Sequence, residues 1–452
     1  MAEHHPAAHQ SEAQVTRDLL AWRQRMGGAG VAMVILAILA IAGLVALISL
    51  ILSGPEPRSK WGYVATILAF LLGAGQGGPI IVFISRLAKG FWAIPIRRAG
   101  ELLAISGLVS VPLYLVVLFE LPEWYNGQVW RASIWFHWPG APVVWDAIFI
   151  LMLGFTGLAL IYFSAIPDWA AARDAGVRGV TANLSRWFIG TQKQWFVLNM
   201  GFIILGAFYV MTYVYVHLFT SADMAMALVP GWHSSVFPAY HAISGFQSGL
   251  SMVLLISALL MRFGGLRDYI GREQFWGASK ILLALSLLYF YLTWAEFLLP
   301  WYGREPQEVQ YLSLVLFGPY KDLYVLAFFL SFILPLLFLI WNPVRASVGG
   351  PVFVGCMCMA GVFLDRMRIY VSAWSVAGPV GPTVVQVIPP TQYPNLLDIL
   401  IMIGAPAAVA LLYLLVLRII PPVGIWEYKL RLLLRTERAY LGSEVTVLAK
   451  PR

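Results

Sequence analysis

The chain has 452 residues, 60% of them hydrophobic and only 12% charged, with a mean hydropathy of +0.77. No soluble domain buries that much apolar surface, so the composition excludes a soluble enzyme and indicates an all-α, polytopic membrane protein. The formal charge of +8 does not indicate a nucleic-acid partner, because basic residues in such a chain mark cytoplasmic loops.

The first 26 residues are polar and read as a flexible N-terminal arm, with His4, His5 and His9 scattered along it. The apolar run after Arg23 and Arg25 is roughly 25 residues long, longer than a signal-peptide core, and reads as a retained first helix. Runs long enough to cross the ~30 Å hydrocarbon core fall near 27–53, 62–87, 99–120, 143–165, 195–217, 239–262, 276–299, 320–342, 349–370 and 395–418. The expectation is ten transmembrane helices, which puts both termini on one side. The terminal arms and the loops after the second, fourth, sixth and eighth runs hold 22 of the 30 basic residues. The other five loops hold only Arg58, Lys60, Arg131, Arg304 and Lys321. This asymmetry places both termini in the cytoplasm and the loop "VPGWHSSVFPAYH", residues 229–241, outside. Cys356 and Cys358 are the only cysteines. Two apart on a helix, they point to different faces and read as small core residues.

Polar residues recur at an offset of 176: Arg86 with Arg262, Glu120 with Glu296, Asp146 with Asp322. A Gln among small residues recurs at 171, in "GAGQGG" around Gln76 and "SGFQSG" around Gln247, where the small residues point to close helix packing. The expected architecture is therefore two pseudo-repeated four-helix bundles, 62–217 and 218–370. They are flanked by a peripheral first helix in 27–61, an outer loop and tenth helix in 371–418, and a basic cytoplasmic tail in 419–452.

In the outer half of the first bundle, Glu120 closes one run, Asp146 opens the next and Asp223 follows the fifth. Burying any of them in hydrocarbon costs roughly 2.5–3.5 kcal/mol on insertion scales, so acids kept there reach water or serve a pocket. His137, His217, His233 and His241 fall in outer loops or at outer helix ends, which is not the facing, mid-membrane arrangement that a bis-His haem needs. Nor do His233 and His241 have neighbours to complete a zinc site. An apolar cavity with carboxylates at one membrane face suits a lipid-soluble redox molecule that carries protons, with a quinol as the leading candidate. No metal, haem or flavin site is evident in the sequence, so its electrons would leave for a cofactor on another subunit.

The stretch "SADMAMALVPGWHSSVFPAYHAISGFQSG", with "VVWDAIFI" and "AIPDWAAARD", resembles the NrfD/polysulfide-reductase family of integral membrane subunits. Among these it is most similar to the ten-helix quinol-oxidising subunit of alternative complex III. The resemblance covers about residues 60–370, more loosely in the second half. It implies a haem-free, metal-free subunit of the bacterial inner membrane that takes menaquinol or ubiquinol as substrate. It also implies a periplasmic iron–sulfur partner, and leaves room for a paralogous NrfD-like subunit and cytochrome c subunits.

On that resemblance Asp146 and Asp223 match the acids of the quinol site, Glu120 stands where a His is usual, and His233, Trp232, Tyr240 and Trp145 line the site. Glu101, Lys280, Glu296, Asp322, Asp365 and Arg366 are the candidates for a proton path. An ion-coupled secondary transporter and a catalytically silent membrane anchor are the alternatives. In a background without Cys356 and Cys358, a cysteine placed at 233 should react with an impermeant thiol reagent from outside, and one at 178 only from inside. The reverse labelling pattern would overturn the orientation.

Overall fold

A bilayer core leaves the backbone no water to bond, so long apolar runs fold as helices that satisfy their own amides and carbonyls. The computed structural model describes residues 11–25, 29–122, 124–125, 128–131, 143–376, 385, 387–440 and 443–448. His4, His5, His9 and His137 lie outside the described residues, as does the side chain of Trp124. The helices are α1 Glu12–Arg25, α2 Ala29–Leu52, α3 Arg58–Leu87, α4 Phe91–Phe119, α5 Val143–Asp174 and α6 Gln192–Asp223. They continue as α7 Phe237–Phe263, α8 Arg272–Gly303, α9 Lys321–Leu339, α10 Gly349–Ser375, α11 Leu396–Leu417 and α12 Ile425–Leu434.

Among the described residues, α2 to α9 and α11 are long and apolar enough to cross a membrane, so the chain is a multi-pass membrane protein. The remaining long helix, α10, carries Asp365, Arg366 and Arg368, all buried. Charges are tolerated on it because α3, α7 and α9 cover it. Two short antiparallel hairpins complete the fold, Trp124–Tyr125 with Gln128–Val129 and Arg435–Tyr440 with Ser443–Leu448.

The N-terminal arm, expected to be flexible, is docked on the bundle, and so is the basic tail. Val15, Leu19 and Trp22 line one face of α1 and are buried, and the Trp22 indole donates to the Gly264 carbonyl at 2.6 Å. An apolar stripe at this spacing turns half of the polar arm into an amphipathic helix held on the bundle. The tail is anchored by Glu427 of α12, which meets Arg97 at 3.1 Å and Arg86 at 3.2 Å. Burial pushes the Glu427 carboxyl up, but Arg86, Arg97 and Arg98 outweigh it and hold the group below the ordinary glutamate value. The same network takes in Glu101, paired with Arg86 at 2.6 Å and bonded by Ser164, and Asp168, paired with Arg98 at 2.8 Å. Glu101 is thus a member of a structural ion cluster at the end of the bundle remote from Asp146.

At the centre, α3 and α7 cross with their backbones in contact. A Cβ on Gly249 would lie 2.7 Å from the Cα of Gly77, and one on Gly77 would lie 2.8 Å from the Gly245 carbonyl. The small residues around Gln76 and Gln247 therefore serve close packing, and each Gln also bonds across helices. Gln76 donates to Ser106 at 3.0 Å, and Gln247 donates to Ser286 at 2.8 Å and to the Ser331 carbonyl at 2.7 Å. That carbonyl lies in a π turn of α9, Phe329–Ile333, where the helical ladder widens. Cys358 is buried and Cys356 exposed, so the two do point to different faces but only one is a core residue.

Outside this centre, α2 pairs with α11 through Gly43 and Gly404. A Cβ on Gly43 would lie 2.7 Å from the Gly404 Cα. Gly404→Val should therefore cost about 1–3 kcal/mol by overpacking, whereas Gly349→Ala, at a site open to space, should not. Thermal unfolding in detergent would compare them, and equal midpoints would contradict this packing.

Candidate functional site

Asp146 sits in the first turn of α5 and is completely buried. Its carboxylate faces Asp223, the last residue of α6, and the guanidinium of Arg131, whose Nη1 is 4.0 Å from Oδ2. Tyr114 of α4 approaches the same acids and the side chain of Thr220. All five residues are shielded from solvent. Among the described residues, neither oxygen of Asp146 and none of the three guanidinium nitrogens of Arg131 has a hydrogen bond of ordinary geometry. A buried polar atom left so costs roughly 1–3 kcal/mol, and more when charged.

The loop that carries Arg131 is fixed from below. Arg58, which opens α3, donates to the Trp130 carbonyl at 2.7 Å and to the Val376 carbonyl. The placement of Arg131 thus depends on α3 and on the end of α10.

Glu120 is not part of this group. It caps α4, is half-buried, and its nearby charge is Lys60. Among the described residues no contact joins it to Asp146 or Asp223. Burial still raises its carboxyl above the ordinary glutamate value, while Lys60 opposes the rise. Its neighbouring charge is thus a cation and not a second carboxylate.

The aromatic loop forms a second polar group instead of lining the first. Trp232 and Tyr240 are buried, but the carboxylate they approach is Glu296 of α8. Glu296 accepts from Tyr311 at 2.7 Å, from the Trp232 indole at 3.4 Å and from Ser234. Beside it a cavity of about 20 Å³ is lined by Trp232, Tyr240, Thr293, Glu296, Tyr311 and Arg368, among others. Asp365 is paired with Arg368 at 2.7 Å and with Arg366 at 3.4 Å. Arg368 also reaches the Tyr240 hydroxyl at 3.3 Å.

Four of the residues expected in a site or path face outward. His233 and Asp322 are exposed, Trp145 lies on the outer face of α5 at 36% exposure, and Lys280 is exposed with its ammonium 3.3 Å above the Trp276 ring. Helix periodicity explains Trp145, since its neighbour Asp146 takes the inward face. His217 and His241 depart the other way. Placed by sequence at helix ends, they are fully buried between α6 and α7, with their Nδ1 atoms 2.7 Å apart.

This arrangement of polar groups inside a multi-pass bundle can be set against known families. A family model described as polysulphide reductase, NrfD, matches residues 51–377. The chain belongs to the NrfD family. No curated protein matches it. NrfD proteins are membrane subunits of oxidoreductase complexes that interact with quinones and work with iron–sulfur subunits. The matched span contains both the Asp146 and the Glu296–Asp365 groups and does not reach α1, α2 up to residue 50, α11 or α12.

Arg131, Tyr114, Tyr370 and the histidine pair escaped sequence reasoning. A lone Tyr or Arg near an apolar run has no spacing signature, and only the meeting of α4, α5, α6 and α10 shows its role. Arg131→Met should destabilise the protein by about 3–5 kcal/mol by leaving Asp146 without its nearest cation. Asp146→Asn in the same chain should recover most of that loss. A thermal-unfolding double-mutant cycle would measure the coupling, and additive effects would contradict the pairing.

Proposed function

We propose that this NrfD subunit oxidises a quinol at the buried Asp146–Asp223 group and delivers the electrons to an iron–sulfur partner docked at the same end of the bundle. The observation that carries this reading is the carboxyl pair itself. Two acids face one another in an apolar interior beside one arginine, and among the described residues neither Asp146 oxygen has a hydrogen bond of ordinary geometry. Such a group is costly unless something with complementary donors occupies the space, and a quinol brings two hydroxyls.

The chemistry balances on these residues. Oxidation of one quinol breaks two O–H bonds and releases two protons and two electrons. Asp146 and Asp223 are the bases within the apolar interior, Arg131 holds their charge, and the Tyr114 hydroxyl orients the ring oxygen nearest it. The electrons leave for the partner's iron–sulfur cluster, since a quinone product must be neutral to return to the lipid. Glu120, half-buried at the edge of the bundle, passes protons from this region to water.

This reading keeps the orientation inferred from the basic loops, with both termini cytoplasmic in a bacterial inner membrane.

In the assembled complex, Asp146→Asn and Asp223→Asn should each slow quinol-dependent reduction of the acceptor by about 10²–10⁴-fold, with subunit assembly on native gels unchanged. Wild-type rates in both variants would remove the reading. Glu120 should accept protons only when ionised, so turnover should rise with pH through its raised value. In Glu120→Gln that limb of the pH profile should be absent.

A further inference from the structure

His217 of α6 and His241 of α7 are fully buried, and the function proposed above does not use them. Their Nδ1 atoms are 2.7 Å apart. With neutral rings, one of the two must donate and the other accept, because a single proton lies between them. The outer nitrogen of His241, Nε2, is 2.9 Å from the Tyr370 hydroxyl, which is also 3.3 Å from the Thr220 carbonyl. The outer nitrogen of His217 has no hydrogen-bond partner of ordinary geometry among the described residues, and the Leu72 carbonyl lies near the ring. That carbonyl is available because α3 widens there. The Gln76 amide bonds the Leu71 carbonyl at 3.4 Å, one residue further back than a regular helix would take it.

These contacts allow two hydrogen-bond chains of opposite polarity. In one, the Tyr370 hydroxyl donates to His241 Nε2, His241 Nδ1–H donates to His217 Nδ1, and His217 carries its proton on Nε2. In the other, His217 Nδ1–H donates to His241 Nδ1, His241 Nε2–H donates to the Tyr370 oxygen, and the Tyr370 hydroxyl turns to the Thr220 carbonyl. The second chain ends on a backbone carbonyl, whereas the first leaves the His217 Nε2–H without an acceptor of ordinary geometry among the described residues. The rings hold opposite tautomers in both chains and exchange them together.

We propose that His217 and His241 form one tautomeric positioning unit that sets the direction of the Tyr370 hydroxyl next to Tyr114, the residue that faces the Asp146–Asp223 group. Tyr370 and Thr220 both neighbour Tyr114, which faces those acids. Arg366 steadies the unit by donating to the His241 carbonyl at 2.8 Å and to Ser244. Gly245 is required beside it, since a Cβ there would lie 2.8 Å from the His217 ring. The role of the unit in turnover rests on the quinol reading, whereas the tautomeric pairing does not.

The test is nitrogen-15 solid-state NMR of the full chain in nanodiscs with labelled histidine, assigned by single substitutions. Opposite neutral tautomers are expected at 217 and 241, and Tyr370→Phe should shift the ring nitrogens of both. The same tautomer on both rings, or a Tyr370→Phe response confined to His241, would overturn the proposal. In the assembled complex, His217→Leu should slow quinol turnover about tenfold, the scale of one hydrogen bond. His217→Asn, whose amide can donate or accept near the Nδ1 position, should stay within about threefold. Wild-type turnover in His217→Leu would overturn the positioning role. Opposite, jointly responding tautomers together with full turnover in Asp146→Asn would remove the quinol reading and leave the tautomeric pairing standing.

Discussion

The backbone contact between α3 and α7 is the constraint on which the interior depends. Lipid is as apolar as leucine, so helices in a bilayer gain little from hiding hydrophobic faces and must instead fit closely and share polar contacts. Gly77 and Gly249 supply the fit, and Gly245 leaves room for Tyr213 and His217 to lie against the backbone. With α3 and α7 this near, Gln76 reaches Ser106 on one side while Gln247 reaches α8 and α9 on the other. Each amide then ties a further helix to the crossing.

From that crossing outward, charge is handled in three different ways. The cluster of Arg86, Arg97, Arg98, Glu101, Asp168 and Glu427 pairs each acid with a guanidinium at close range, and it fastens α12 to the bundle. The Asp365 group is similar, with two arginines on one carboxylate. At Asp146, by contrast, the nearest cation stands at the limit of an ion pair and a second carboxylate faces the first. Close pairing fixes the first two groups in the structure, whereas Asp146 sets a carboxylate against a like charge with one more distant guanidinium.

Much of this was legible in the sequence, and the parts that were not share a cause. Run length and apolarity predict the helices because each helix answers to the bilayer alone. The inward turn of Asp146 and the depth of Asp223 follow from acids placed at helix ends. Which acids meet is a different matter, since it depends on helix tilt and rotation set by neighbours. Glu120 and Asp146 are near in sequence, yet Glu120 faces Lys60 while Asp146 faces α6. The histidines were misjudged for a similar reason. Their nearness to helix ends suggested a loop environment, but the space left by Gly245 admits the His217 ring to the seam between α6 and α7, where it meets His241. The arm and tail were misread because mean polarity hid the stripe of Val15, Leu19 and Trp22 and the single buried acid of α12.

The proposed duplication gains interest from the way its two halves differ. At the helix-opening position, Asp146 is buried and Asp322 exposed; at the helix-closing position, Glu120 is half-buried beside a lysine while Glu296 is held by Trp232, Ser234 and Tyr311. The helix-opening acids thus differ in burial, whereas the two helix-closing glutamates are both half-buried and differ only in what they face. One half sets two carboxylates beside a single arginine, and the other holds a glutamate with aromatic and hydroxyl donors. The histidine pair and Tyr370 lie between them, with Arg366 bonded to the His241 carbonyl on one side and Tyr370 reaching Thr220 on the other. Arg366 and Tyr370 both belong to α10, so that helix ties α6 to α7 at the histidine seam.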